Sequence, residues 1–320
     1  MSFDINDVAQ ALQQNYQRNS QLNEPASALL PNKQSVIDIT EELRSILFPG
    51  FFADFNVEDR HQQYRLSDQL LDIRNRLVRQ ASLALCHRFA EENPEEAADC
   101  LDIHPEHPTA VQQVEAFLMK LSEIRDRLAC DVQAAFEGDP AARSFADVII
   151  SYPGVFAVTV HRLAHELSRL DVPLIPRIMS EYAHAKTGID IHPGATIGDY
   201  FFIDHGTGVV IGETTVIGHH VKIYQGVTLG ALSTRGGQDL QGKNRHPKIG
   251  NYVTIYGGAT ILGGDTEIGS GATIGGNVFI TKSVTPETKV SIRGHNLKFV
   301  SADKKKSDNQ TVEAALENEI

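Results

Sequence analysis

The chain has no tryptophan, three cysteines in 320 residues, and no excess of positive charge. The missing tryptophan decides nothing. Cys86, Cys100 and Cys130 are too few, too far apart and odd in number to form a disulfide framework or a zinc cage. A formal net charge of −12 argues against a nucleic-acid partner, because phosphate binding needs a basic face. No apolar run approaches the ~20 residues that span a bilayer. The polar start MSFDINDVAQ also lacks the apolar core of a signal peptide. A cytoplasmic protein without membrane contact is expected. Glycine is nearly missing from the first third of the chain, where Gly50 stands alone.

That glycine-poor part is rich in Leu, Ala, Glu, Gln and Arg, which favour helix. The run DITEELRSIL from Asp38 predicts a helix stopped by Pro49-Gly50. Apolar spacing predicts helix again over 66–89 and 111–136. His104 and His107, in the motif HPEHP, read as solvated loop residues. Asp139 before Pro140 reads as the N-cap of a further helix. His161 and His165 share one helical face, but the glutamate and third ligand of a zinc site are missing, which favours inter-helix hydrogen bonding. A chain of this length predicts two domains.

From Ile191 to Val284 an aliphatic residue returns every six positions. One column reads Ile191, Ile197, Ile203, Val209, Thr215, Val221 and Val227. A second runs through Ile211, Ile217, Ile223 and Leu229, with Gly212, Gly218 and Gly230 beside three of its members. After a polar gap Ile249, Ile255 and Ile261 keep the period. One residue is then inserted, and Leu262, Ile268, Ile274 and Ile280 continue it, with Ala259, Ala272, Val278 and Val284 in the companion column. Neither helix nor ordinary strand has this period, and its strictness disfavours a β-sandwich with glycine-rich turns. It fits hexapeptides that each give a short strand and a tight turn, three sides closing a triangular solenoid. At ~4.8 Å per coil, about four to five coils are expected.

Two places break the repeat. Asp204-His205 interrupts it, and in the six-residue frame His205 occupies a column that Ile211, Ile217 and Ile223 fill further on. A polar ring where an aliphatic chain belongs costs stability and marks function. With a carboxylate partner, His205 has the arrangement of a general base. Between Leu232 and Lys248 a long polar loop leaves the solenoid and returns through Arg245-His246, a planar donor fork for a carboxylate with an imidazole beside it.

These residues resemble the serine O-acetyltransferases of the hexapeptide-repeat acyltransferase superfamily. The matching motifs are DPAARS at 139–144, YPGVFAVTVHRLAHEL at 152–167, TGIDIHPGATIG at 187–198, FFIDHGTGVVIGET at 201–214, GVTLGA at 226–231 and RHPKIG at 245–250. The resemblance implies an α+β chain. An amino-terminal α-helical domain (1–186) would precede a left-handed parallel β-helix (187–300) and a flexible tail (301–320). It implies transfer of acetyl from acetyl-CoA to L-serine without a metal, with His205 as base and Asp190 orienting it. Asp139 and Asp204 would hold the substrate ammonium group, Arg245 its carboxylate, and His246 would assist. Acetyl-CoA would lie near Gly257, Gly258 and Gly275, between neighbouring solenoids of a homotrimer or dimer of trimers, with Lys282 at a phosphate. L-cysteine would inhibit, and the terminal Ile320 would enter O-acetylserine sulfhydrylase. Three departures stand out: Ala231 in place of a glycine, the longer insert 232–244, and IRGHNLKFV near the end. The rivals are a hexapeptide acyltransferase acting on homoserine or a sugar, a zinc carbonic anhydrase, whose ligand spacing His205, His219, His220 and His246 do not show, and a non-catalytic scaffold.

Overall fold

The computed structural model describes residues 3–19, 22–23, 30–52, 62–93, 107–240 and 242–292. Cys100, His104 and everything from 293 to Ile320 lie outside the described residues. The described helices are α1 (Ile5–Arg18), α2 (Lys33–Leu47), α3 (Gln62–Glu92), α4 (Pro108–Met119), α5 (Leu121–Gly138), α6 (Phe145–Ser151), α7 (Pro153–Arg169) and α8 (Ile175–Thr187). α2 begins at Lys33 rather than Asp38, because Asn32 accepts from the Ser35 N–H and caps it. The stretch 111–136 is split between α4 and α5 at Lys120. His107 is the N-cap of α4, its Nδ1 accepting from the Thr109 N–H at 3.2 Å, and so is not a loop residue without a task. None of the described helices is long and apolar enough to cross a membrane.

The helices bury one core, with Ile39, Leu43, Ile73, Leu77, Phe117, Leu128, Leu163 and Leu167 nearly inaccessible. Each such side chain contributes about 1.5–3 kcal/mol by leaving water.

Among the described residues fourteen short strands follow: β1 (Asp190–Ile191), β2 (Thr196–Ile197), β3 (Phe202–Ile203), β4 (Val210–Ile211), β5 (Val216–Ile217), β6 (Lys222–Ile223), β7 (Thr228–Gly230), β8 (Lys248–Ile249), β9 (Thr254–Ile255), β10 (Thr260–Leu262), β11 (Glu267–Ile268), β12 (Thr273–Ile274), β13 (Phe279–Ile280) and β14 (Lys289–Val290). Every pairing is parallel, and each strand pairs with the third one along, except that β12 pairs with β14 because the side between them is reduced to the single bridge Ile268–Val284. The first sheet is therefore β1-β4-β7-β10-β13, the second β2-β5-β8-β11 and the third β3-β6-β9-β12-β14. This is the left-handed parallel β-helix, five coils tall along its first sheet. Inside it Ile191, Ile211, Leu229, Ile261 and Ile280 stack in register.

The repeat departs from strict arithmetic in two ways. From Ile203 to Ile211, both inward, the chain takes eight residues instead of six, and the extra pair is absorbed in the corner after β3. Val209, Thr215, Val221 and Val227 therefore belong to a companion buried position, not to the column of Ile203. His205 is not inward at all: it sits in that corner at φ +58°, with 70% of its side chain exposed. At the later insertion Ile261 is the inward residue rather than Leu262, and Gly263 at φ +103° takes up the extra length.

Helices and solenoid are joined through the first coil. Phe202, outward on β3, is buried in the helical core. Arg162 of α7 and Asp131 of α5, 2% and 3% exposed, form a two-bond ion pair of 2.5 and 2.8 Å. Arg162 also donates to the Ile197 and Gly198 carbonyls, and Asp131 accepts from the Phe201 N–H. Gly154 lets α7 rest directly on β3, since a methyl group there would come within 2.3 Å of the Ile203 carbonyl oxygen. Gly154→Ala is therefore expected to lower unfolding stability by roughly 1–3 kcal/mol, the usual cost of overpacking, measured by urea denaturation.

Candidate active site

The corner between the third and first sheets gathers the first group of polar residues. Asp139 arrives there as the C-cap of α5; it is not the N-cap of a following helix, because α6 starts later, capped by Ser144. Its carboxylate accepts from the Ala141 N–H at 2.8 Å and from the Tyr152 hydroxyl. The Tyr152 bond, then the Ala141 bond, hold the Asp139 carboxyl below the usual carboxylate range. Burial and the same carboxylate push the Tyr152 phenol up to about 12, so it remains a donor at neutral pH. Asp204 is buried, with Oδ1 3.6 Å from His205 Nδ1 and Oδ2 3.7 Å from Lys222 Nζ. Lys222 also donates to the Gly138 carbonyl. The His205 ring faces Tyr224 at 6.5 Å, and Tyr224 stacks on Tyr256 of the next coil at 5.1 Å.

Asp190 stands on β1, where its carboxylate falls within 4.8 Å of ligand atoms of Glu181 and His184 on α8. Among the described residues the carboxylate within ion-pair distance of His205 is Asp204. His161 and His165 do lie together, rings 5.5 Å apart, but His165 Nδ1 meets the Pro193 carbonyl of the solenoid rather than another helix.

The second group sits at the corner between the first and second sheets. Here the long loop, which contains one 3-10 turn at Gly237–Leu240, returns. His246 lies flat on Gly212, where a methyl group would come within 2.0 Å of its ring. Its Nδ1 is 3.1 Å from the Thr214 N–H, which donates to it. That bond places the proton on Nε2. Burial, followed by the Arg245 charge, lowers the His246 pKa to about 4. His246 is thus a fixed, neutral Nε2–H donor. Arg245 reaches the Glu213 carboxylate and donates to the Leu240 carbonyl at 3.2 Å.

The two groups stand on opposite edges of the first sheet, Asp204-His205 before β4 and Glu213-Thr214 after it, and no hydrogen bond or ion pair among the described residues connects them. Gly257, Gly258 and Gly275 continue the His205 corner, while Lys282 stands exposed after β13, at the Arg245 corner. The N–H groups of Gly258 and Gly275 are taken by the coil ladder, bonding Gln225 and Val290 carbonyls. Lys222, Tyr152 and Tyr224 escape sequence reasoning. Outward positions of two-residue strands carry no pattern, and only the tyrosine in YPGVF stood inside a recognised motif.

No family model matches the chain. It is 45% identical over 268 residues to the plasmid serine acetyltransferase of Synechococcus elongatus, covering 82% of each chain. Its structure superposes on Entamoeba histolytica serine acetyltransferase 1 in complex with L-cysteine with a TM-score of 0.64 and 38% identity, over 79% of this chain and 86% of that one. A soybean serine acetyltransferase complexed with serine gives a TM-score of 0.50 at 33% identity, over 66% and 93%. The β-helix of six-residue repeats, together with these relatives, marks an acyltransferase. Identity and coverage of this extent place the chain in the serine acetyltransferase family.

The neutral His246 gives a pH prediction. Its folded pKa of about 4 lies below the ordinary 6.5, so as pH falls through that interval the unfolded chain takes the proton first. Stability is therefore lost on acidification across that window. His246→Gln is expected to flatten the loss, measured by denaturation at pH values on either side of it.

Proposed function

We propose that the protein transfers the acetyl group of acetyl-CoA to the hydroxyl of L-serine, giving O-acetyl-L-serine and free CoA in cysteine biosynthesis. The observation that carries this reading is His205, exposed at a corner with Asp204 beside it, on the fold of the serine acetyltransferases. His205 takes the hydroxyl proton as the serine oxygen attacks the thioester carbon, and returns it to the departing thiolate sulfur as the C–S bond breaks. Asp204 orients the imidazole by contact, and Asp190 is assigned to the same task by the resemblance. Asp139 and Asp204 hold the ammonium group. Arg245 exchanges Glu213 for the substrate carboxylate, and the Nε2–H of His246 donates beside it. The serine oxygen is activated by the base and the thioester is already a good electrophile, so these residues need no metal.

One chain carries the two groups on different edges, and a homotrimer brings the His205 corner of one copy against the Arg245 corner of the next. Acetyl-CoA then lies between solenoids, along Gly257, Gly258 and Gly275 of one copy and Lys282 of its neighbour. Two such trimers pair through the helical domains. L-cysteine occupies the serine pocket as an inhibitor, and the cytoplasm is the compartment. The sulfhydrylase contact expected of Ile320 lies outside the described residues.

Thiol release from acetyl-CoA, with serine, homoserine or a simple sugar as acceptor, tests the reading. Serine-dependent release that falls by about two to four orders of magnitude in His205→Ala, the size of a general-base effect, is expected. Release with another acceptor in place of serine moves the substrate, and release with none ends the enzymatic reading.

A further inference from the structure

We infer that Lys222 is a positioning residue for this reaction, acting on His205 through Asp204; the assignment rests on the reading of His205 as the base. Lys222 is the outward residue of β6, directly beneath Phe202 of β3 in the parallel ladder. That place brings its ammonium between the helical domain and the His205 corner. On one side it donates to the carbonyl of Gly138, the last residue of α5. On the other it lies 3.7 Å from Asp204 Oδ2, whose second oxygen is 3.6 Å from His205 Nδ1. The rings of Tyr224 and Phe202 flank it at 4.7 and 5.0 Å.

Each contact has a physical reason. The carbonyl end of a helix attracts a cation, the ring faces do the same, and a carboxylate as enclosed as Asp204, with 11% of its side chain exposed, requires a partner. Lys222 itself is 22% exposed, so this charge is fixed rather than waving in solvent. Gly138 is part of the arrangement. A methyl group there would come within 2.8 Å of the Phe202 ring and 3.7 Å of Lys222 Nζ.

The sequence from Gly138 carbonyl to Lys222, Asp204 and His205 therefore holds an otherwise exposed imidazole from the rigid side of the molecule. Without the ammonium, Asp204 has only the exposed His205 ring within ion-pair reach among the described residues, and the base loses its fixed orientation. Asp139 and Arg245 are not in ion-pair contact with Lys222, so the share of serine affinity they supply is set apart from it, while the share Asp204 supplies is not.

The test is a double-mutant cycle in the full chain, reading kcat and the KM for serine by thiol release. Lys222→Met is expected to lower kcat roughly tenfold, the cost of a misdirected catalytic group, with a smaller change in the KM for serine, felt through Asp204, and substantial recovery of both in Lys222→Arg. In an Asp204→Asn background the same Lys222→Met change is expected to cost nothing further, because the two residues act in series. A merely structural lysine would multiply with Asp204→Asn and lower the thermal midpoint in proportion. Multiplying effects, or an unchanged kcat in Lys222→Met, overturn the assignment alone. A native chain that releases no thiol with serine removes the reading of function, and the assignment with it.

Discussion

The buried ion pair between Arg162 and Asp131 is the contact on which the placement of the His205 corner depends. Removing two charges from water costs several kcal/mol per ion, and attraction alone does not return it unless the remaining donors and acceptors are also met. Here they are met by the first coil: two carbonyls for the guanidinium and the Phe201 N–H for the carboxylate. Lifting the helices from the solenoid breaks all three of these bonds at once. Arg127, paired with Asp199 in the corner between β2 and β3, extends the grip. What the pair holds in place is functional. α5 ends at Gly138 and presents Asp139, and α7 begins after Tyr152, so both residues are carried to Asp204 and Lys222 by helices whose middles are clamped.

The solenoid contributes the opposite quality, a regular frame that is broken where chemistry is needed. Most corners turn in the minimum number of residues, with one residue in the left-handed region. The corner after β3 takes two residues more and places His205, Gly206 and Gly208 all at positive φ. For a histidine this conformation is costly, and such strain persists only where the surroundings hold it. The result is an imidazole pushed outward from a rigid edge, backed by a carboxylate that is itself buried.

Much of this was legible in the sequence, because a six-residue return of aliphatic residues has few structural solutions. The amino-terminal helices and the solenoid follow from composition and period alone. The frame of the repeat did not follow as directly. Counting six back from Ile211 carries His205 into the inward column, although Gly206 and Gly208 on either side of Thr207 signal a longer corner. Asp139 before a proline has the pattern of an N-cap, yet the helix before it claims the residue, since local capping preference is weaker than the packing of α5. Lys222 was silent because the outward position of a short strand is filled by phenylalanine, lysine or threonine in successive coils, and no period distinguishes a functional one.

The placement of Arg245 and His205 on opposite edges of one sheet makes a site shared between copies the central claim. It is tested most directly by complementation. His205→Ala and Arg245→Ala chains, each inactive alone, are unfolded together, refolded as a mixture and assayed for serine-dependent thiol release. Random assembly into closed rings returns about a quarter of the native activity, since one interface in four then joins an intact His205 corner to an intact Arg245 corner. A mixture as inactive as its two components would contradict the account and return the whole site to a single chain.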